Sequence, residues 1–372
     1  MDQVEERPAT AVPHAPERAR AEPRSAHGAR PAPVRSAGLR PLWVAGGVVA
    51  VLVASLAGLV VGPVAIDPLA VVRELLGFDS GLTATEATIV REIRLPRVVL
   101  GLLVGATLAL SGASYQGVFR NPLADPYLLG AAAGAGLGVT IAIVGAAEGA
   151  ATPLSVPLAA FVGALGAVGL TYVLGAAGGG RMSTASLILA GVAVATFLTA
   201  FQTYLQQRHQ DTIRQVYSWI LGRLSTAGWN EVVVLLPYVV VASIVLLVHR
   251  RVLDVLAVGD DEASTLGINA RRSRIIVVVA ASLGTAAAVS VSGLIGFVGI
   301  IVPHTVRLLA GTSHRVILPL SMLFGGAFLA LADLLARTVS SPAEIPIGVV
   351  TAFFGAPFFV LVLRTSRRGA GL

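Results

Sequence analysis

Asp333 is the one clear acidic residue inside an apolar stretch of this sequence, and Arg337 follows it four residues later. An ionisable group at the centre of a membrane helix costs about 2.5–3.5 kcal/mol to insert, so such groups are usually paired or functional. Residues four apart share a helix face, which predicts an intrahelical ion pair. Alternatively, Arg337 joins Arg94 and Arg97, which begin another apolar stretch, in a basic surface that binds a partner.

The remaining composition excludes several kinds of chemistry. All 27 basic residues are arginine, and the sequence contains no cysteine. Without lysine the chain cannot form an ATP-binding phosphate loop, which needs a lysine, and cannot catalyse reactions through a lysine Schiff base. Without cysteine there is no thiol catalysis and no Cys-ligated metal. The six histidines are scattered, and His304 is typical of a packing or interface residue. We therefore expect no catalytic residues, no metal site and no cofactor.

The elements that position these residues are membrane helices. Of 372 residues, 55% are hydrophobic and 13% charged, with a mean hydropathy of +0.82, whereas soluble domains carry about 25% charged residues. A chain in lipid must satisfy its backbone hydrogen bonds internally, which favours helices of about 20 residues. The sequence predicts an all-α protein with ten spans, the eighth short and tilted or broken at Pro303. The spans are 42–62, 96–118, 127–146, 154–174, 185–206, 231–249, 274–293, 297–310, 315–336 and 346–363.

The distribution of arginine predicts the orientation of the chain. Residues 1–41 form a Pro-rich basic tail that we expect to be disordered and cytoplasmic. The membrane domain is 42–366, and 367–372 form a second cytoplasmic tail. Ten spans place both termini on one side, where 19 arginines fall, against eight on the other. The positive-inside rule then predicts cytoplasmic termini.

Two connecting loops are long enough to hold structure of their own. The outer loop, 63–93, is predicted to contain a short helix at Pro68–Leu76. The inner loop, 250–274, is predicted to contain a helix around Asp260–Leu266, between Gly259 and Gly267. An amphipathic element too short to span can lie on a membrane or enter a groove of a partner protein.

Six stretches, in order, resemble the membrane subunit of type II ABC importers, the family that takes up vitamin B12, ferric siderophores and haem. The resemblance covers about residues 42–366. The matching stretches are IRLPR (93–97), SGASYQGVFRNPLADPYLLG (111–130), LILAGVAV (187–194), LAVGDDEASTLGIN (256–269), GLIGFVGIIVPHTVRLL (293–309) and EIPIGVVTAFFGAPFF (344–359).

The resemblance implies a homodimer of ten-helix subunits with one translocation path on its axis. Two separate ATP-binding cassette ATPase subunits would hydrolyse ATP, so this chain is not expected to be an enzyme. An extracytoplasmic binding lipoprotein would deliver the cargo, and alternating access would move it. We expect a ferric siderophore as cargo, then haem, then cobalamin. Membrane lipid is an expected partner, and nucleic acid is not.

The resemblance also implies roles for individual residues. Arg94, Arg97 and Arg337 match residues that meet acidic groups of the binding protein. Ser183 and Thr184 match the cytoplasmic gate. The positions that match the ATPase-coupling element are Asp260, Glu262, Ala263, Leu266, Gly267 and Asn269.

Two other classes of protein stay open from the residues alone. An ion-coupled secondary transporter would need acidic or histidine relays near the membrane midplane, and Asp333 is its one clear acidic candidate. A structural membrane scaffold would leave loop 250–274 without a role.

Overall fold

A computed structural model describes residues 39–149, 155–177, 184–225 and 228–369, with the backbone alone for residue 184 and for 363–369. All regular structure in these ranges is helical, which confirms the all-α prediction. A π-helical turn, Ile89–Arg94, joins α3 to α4, and a short 3-10 turn, Gln210–Thr212, precedes α8. The helices are α1 (Pro41–Val60), α2 (Pro68–Leu76), α3 (Ala84–Thr88), α4 (Leu95–Phe119), α5 (Ala131–Ala147), α6 (Val156–Ala176), α7 (Thr184–Arg208), α8 (Ile213–Ile220), α9 (Trp229–Val248), α10 (Arg250–Val258), α11 (Asp260–Thr265), α12 (Ala270–Ser292), α13 (Val298–Ala310), α14 (His314–Thr338) and α15 (Ile347–Gly369).

Every predicted span corresponds to one helix: α1, α4, α5, α6, α7, α9, α12, α13, α14 and α15. In the described ranges, seven helices are long and apolar enough to cross a membrane, and three shorter apolar helices are α5, α13 and the first part of α15. The chain is therefore a multi-pass membrane protein. Most of residues 1–41, the predicted tail, lies outside the described residues, as do 370–372 of the second tail.

Helix α4 forms the centre of the bundle and contacts α9, α12, α13 and α14. Its apolar side chains Leu100, Leu108 and Leu110 are almost completely buried. A side chain at Gly105 would collide with the backbone carbonyl of Gly325 on α14. Small residues thus let the two helices meet backbone to backbone, as the sequence predicted for its helical glycines.

Helix α13 is short because irregular backbone precedes it. The helix continues through Pro303 and is interrupted instead at residues 293–297, so the predicted break at Pro303 is wrong. Proline has no N–H, so Pro303 leaves the carbonyl of Gly299 without its partner in the helix. The side chain of Gln116 on α4 donates to that carbonyl instead, through Nε2 at 3.1 Å. The hydroxyl of Tyr127 donates to the carbonyl of Ile295 at 3.0 Å and accepts from its N–H at 3.2 Å. This side chain satisfies the irregular backbone inside the bundle.

The connecting segments gather at two ends of the bundle, which we call outer and inner after the predicted orientation. At the outer end, α2 has the predicted bounds. Asp67 caps its start by accepting from the N–H of Ala70 at 2.9 Å, and Gly77 ends it in a left-handed conformation with φ of 77°. The inner end carries the turn between α4 and α5, and α11 confirms the predicted inner-loop helix. Helix α10 is an additional element that the sequence interpretation left within the loop.

Candidate functional site: the two ends of the helix bundle

At the outer end, Arg94 caps the last turn of α1. Its side chain is buried, with 4% exposed, and Nη1 donates to the carbonyls of Leu59 at 2.6 Å and Val60 at 2.9 Å. Nη2 donates to the carbonyl of Val64 at 2.5 Å. The last carbonyls of a helix have no partner within the helix, and a cation at that end also suits the helix dipole. A Cβ on Gly62 would lie 2.6 Å from Nη2, so this glycine leaves room for the guanidinium.

Arg337 reaches the same turn of α1 from α14. Its Nη2 donates to the carbonyl of Gly58, and the residue is 7% exposed. The distance from its Nε to Oδ2 of Asp333 is 3.9 Å, too long for a hydrogen bond. The intrahelical pair that the sequence offered is therefore a loose contact, and the main bond of Arg337 goes to α1.

Asp333 instead binds Arg97 on α4. Nε and Nη2 of Arg97 each lie 2.9 Å from a carboxylate oxygen of Asp333, and Nη1 lies 2.8 Å from Glu344. The hydrogen bond from Arg97 holds the pKa of Glu344 below its ordinary value. The side chain of Arg97 is 11% exposed, that of Asp333 5% and that of Glu344 39%. Two carboxylates thus neutralise one arginine, and Glu344 presents the more exposed group.

The structure brings all three predicted docking residues into one cluster around the end of α1. It also gives each guanidinium a partner within the protein: α1 carbonyls for Arg94 and Arg337, carboxylates for Arg97. Sequence reasoning missed the bond between Arg97 and Asp333, which are 236 residues apart. The role of the cluster in docking stays a prediction.

At the inner end, α10 and α11 combine an anchored face with an exposed one. Leu253 and Leu256 of α10 and Ala263 of α11 are completely buried. By contrast, Val258 is 72% exposed and Leu266, directly after α11, is 67% exposed. Two large apolar side chains therefore stand out from an element that is itself fixed to the bundle, which is typical of a surface that binds a partner.

The other predicted coupling residues shape this element. Gly267 is left-handed, with φ of 74°, and its N–H donates to the carbonyl of Ser264 at 2.9 Å, so the turn after the helix forms where the sequence placed it. Asn269 caps α12 through its Oδ1, which accepts from the N–H of Arg272 at 2.9 Å. Glu262 is exposed. These contacts describe geometry, and coupling itself stays a prediction.

Asp260, at the start of α11, binds two arginines from two spanning helices. Nη1 of Arg274 on α12 lies 2.8 Å from Oδ2 of Asp260, and Nη2 of Arg120, at the end of α4, binds Oδ1. Hydrogen bonding from Arg274, followed by the charges of Arg274 and Arg120, lowers the pKa of Asp260. Neither arginine was singled out from the sequence, because they lie 140 and 14 residues from Asp260.

A second carboxylate, Asp254 of α10, binds the start of α14. It accepts from the hydroxyl of Ser313 at 2.7 Å, the N–H of His314 at 2.5 Å and the His314 Nδ1 at 3.0 Å. Burial acts to raise the pKa of Asp254, but these hydrogen bonds outweigh burial and hold the pKa below its ordinary value. The inner loop is thereby tied to a third spanning helix.

The predicted gate cannot be placed in the same detail. Ser183 lies outside the described residues, and Thr184 begins α7 with its backbone alone described. Nearby, the hydroxyl of Ser186 donates to the carbonyl of Gly175 at 2.8 Å, which links the start of α7 to the end of α6. The ring of His304 contacts that of Phe358 edge-on, with centroids 5.8 Å apart, as its interpretation as a packing residue expects.

A cavity of about 430 Å³ with a mixed polar and apolar lining lies between α5, α7 and α8. Gln202 and Gln206 of α7 are buried along it. Its lining within the described ranges contains amides, hydroxyls and small or apolar side chains but no charged side chain; the polar members are Tyr127, Thr199, Gln202, Thr203, Gln206 and Tyr217. Such a wall can hydrogen-bond a neutral solute.

Comparison with known proteins decides the family. Residues 50–365 match the FecCD transport family. The chain belongs to this family. It is 47% identical over 284 residues to the cobalamin import system permease protein BtuC of Halobacterium salinarum, covering 76% of this chain and 75% of that protein. It is 39% identical over 285 residues to the hemin transport system permease protein HmuU of Yersinia pestis, covering 75% of this chain and 84% of that protein.

A solved structure of an ABC transporter has the same fold as this chain. An inward-facing putative metal-chelate type ABC transporter superposes with a TM-score of 0.76 at 28% identity, covering 88% of this chain and 100% of that one. The FecCD permease is thus a membrane subunit of a type II ABC importer, and in this family separate subunits hydrolyse ATP. The resemblance seen in the sequence motifs is confirmed.

Proposed function

We propose that this FecCD permease forms a homodimer in the bacterial plasma membrane and imports a metal chelate by alternating access. Two ATP-binding cassette subunits bind its inner end, and an extracytoplasmic binding protein delivers cargo to its outer end. The observation that carries the proposal is the inner loop. Leu253 and Leu256 fix this loop in the bundle, while Val258 and Leu266 are exposed for a partner. A loop built this way can pass a partner's movement to the spanning helices.

The orientation and the dimer rest on separate observations. Nineteen arginines fall on the side of the two termini and eight on the other, which favours cytoplasmic termini. Helices α1 and α7 are each 22% buried over their most apolar stretches. Of these two, α7 carries the buried Gln202 and Gln206 beside exposed apolar residues such as Leu189 and Phe197. A second copy placed against α7 would cover this face and enclose the α7 cavity in a path on the dimer axis. Ser183 and Thr184, at the inner start of α7, are the proposed gate.

For cargo, we place a corrinoid first, with a ferric siderophore or haem as alternatives. The sequence alone favoured a siderophore on the breadth of the family. Two observations support the change: the 47% identity to a cobalamin permease, and the uncharged amide and hydroxyl lining of the α7 cavity. Anionic chelates and haem propionates would find no cation among the described residues of that lining, whereas the amide groups of a corrinoid can exchange hydrogen bonds with it.

Growth of a gene-deletion strain tests the cargo. Three cultures would depend on exogenous cyanocobalamin, on a ferric siderophore or on haem as the limiting nutrient. We expect the deletion to abolish growth on cyanocobalamin, and a plasmid copy of the gene to restore it. Lost growth on the siderophore or on haem alone would overturn the corrinoid assignment while leaving the permease function intact.

For docking, we predict that charges of the outer cluster guide the binding protein. Replacing Arg97 with Gln should weaken binding-protein affinity about two- to fivefold at low salt, since charges at an interface mainly steer encounter. The variant also leaves the buried Asp333 without its partner, so affinity is measured on the fraction that remains folded. The difference should vanish at high salt, where such charges are screened. Titration of labelled binding protein against the purified complex across a salt series measures this. Arg73→Gln is the control, because Arg73 is exposed on α2. Equal, salt-insensitive affinities in the two variants would remove the docking role.

A further inference from the structure

The inner loop is joined to the bundle by a carboxylate shared between two spanning helices. Asp260 binds Arg274 of α12 through two hydrogen bonds, one of 2.8 Å, and binds Arg120 at the end of α4. Arg120 also donates its Nε to the carbonyl of Leu256 at 2.7 Å. One small group of atoms therefore links α4, α12 and both helices of the loop.

Arg120 is also the residue that ends α4. It has φ of 50° and ψ of 36°, the left-handed conformation that commonly ends a helix, and the N–H of Asn121 closes the turn by donating to the carbonyl of Gln116 at 3.1 Å. The two side-chain contacts of Arg120 both go to the inner loop. The end of α4 is therefore bound directly to the loop.

A third spanning helix is attached through Asp254, which caps the start of α14 by its bonds to Ser313 and His314. The loop is thereby bound, through ion pairs or hydrogen bonds, to the central helix α4 and to α12 and α14, which pack against α4. Its opposite face exposes Val258 and Leu266.

We infer that Asp260 is a positioning residue that converts movement of the inner loop into movement of α4 and α12. The inference rests on the proposed function. In this arrangement Asp260 contacts the bundle through Arg120 and Arg274, whereas the exposed apolar residues of the loop contact the ATPase. Because its side chain is about half exposed, at 49%, the ion pairs add little to folding stability. Loss of the carboxylate should therefore loosen coupling without unfolding the protein.

The test compares Asp260→Asn with Asp261→Asn in the assembled importer. The two residues are neighbours in the first turn of α11, and Asp261 forms no ion pair among the described residues. The complex of permease, ATPase and binding protein would be reconstituted in proteoliposomes with ATP inside. Two quantities are measured: ATP hydrolysed per radiolabelled cyanocobalamin imported, and stimulation of ATP hydrolysis by the binding protein, which needs no cargo.

For Asp260→Asn we expect normal co-purification of the ATPase, about fivefold more ATP per cyanocobalamin and a similar loss of stimulation, a typical size for coupling between sites. Arg274→Gln should change both quantities in the same direction but less, because Arg120 still binds Asp260 in that variant. The double variant should be no worse than Asp260→Asn alone, because Arg274 has lost its partner already. Asp261→Asn should match wild type.

Two results would overturn the inference. Unchanged ATP consumption and stimulation in Asp260→Asn would show that the link carries no movement. Loss of the ATPase from that variant would show that Asp260 contacts the partner directly. Failure of the wild-type complex to couple hydrolysis to the binding protein would instead count against the proposed function, so the two failures are distinguishable.

Discussion

Replacing Arg94 with Met is expected to lower the stability of the permease by about 2–5 kcal/mol, because each buried polar group left unpaired costs roughly 1–3 kcal/mol. Methionine keeps much of the apolar stem but removes the donors to Leu59, Val60 and Val64. The end of α1 should therefore loosen. The unfolding midpoint of purified protein in detergent, with hydrogen exchange across α1, measures the effect.

Arg73→Met is the matched control for this prediction. It removes the same charge at the outer end from an exposed residue of α2, so we expect a change within about 0.5 kcal/mol. Equal stability of the two variants would contradict the capping role of Arg94. If Arg94 served docking alone, its variant would keep wild-type stability and lose affinity for the binding protein.

Replacing Leu266 with Asp is expected to abolish ATP-driven uptake and to release the ATPase during purification. The side chain of Leu266 is 67% exposed, so the change should not disturb packing of the monomer. Placing a charge in an apolar contact costs both the lost burial and the desolvation of the carboxylate, which can remove several kcal/mol from a binding interface. Co-purification of tagged ATPase and cyanocobalamin uptake report the result.

Leu266→Met is the control, because it preserves an apolar side chain of similar volume and should keep most of the binding. The interpretation of this loop as the coupling element would be wrong if Leu266→Asp retained both the ATPase and normal uptake. Reduced insertion of Leu266→Asp into the membrane would also count against it, since the residue lies outside the spanning helices.

Much of the fold was readable from the sequence because length and hydropathy are local properties. Ten apolar stretches gave ten helices, and Pro68–Leu76 was predicted with the bounds it has in the structure. The turn at Gly267 also formed as predicted, since glycine tolerates the left-handed conformation that ends a helix. The prediction at Pro303 failed because the hydrogen bond that proline removes from α13 is replaced by one from Gln116, a residue of α4 far away in the sequence.

The partners of charged residues could not be read in this way. Arg94 and Arg97 are three residues apart, yet the first binds α1 carbonyls and the second binds Asp333. Their environments depend on how distant helices pack, which local pattern does not encode. The same holds for Asp260, which the sequence placed on the coupling surface and the structure joins to Arg120 and Arg274. Glycines such as Gly62 offer one usable signal, because a glycine at a helix end can leave room for a large side chain.

Cargo accumulation in proteoliposomes tests the central claim most directly, that this chain is the permease of an ATP-driven importer. Vesicles would contain either the permease alone or the permease with its ATPase, each with binding protein and labelled cyanocobalamin outside. We predict uptake by the complete complex when ATP is inside, and none by the permease alone under an imposed proton or sodium gradient. Gradient-driven uptake by the permease alone, without ATP, would contradict the claim and establish an ion-coupled secondary transporter.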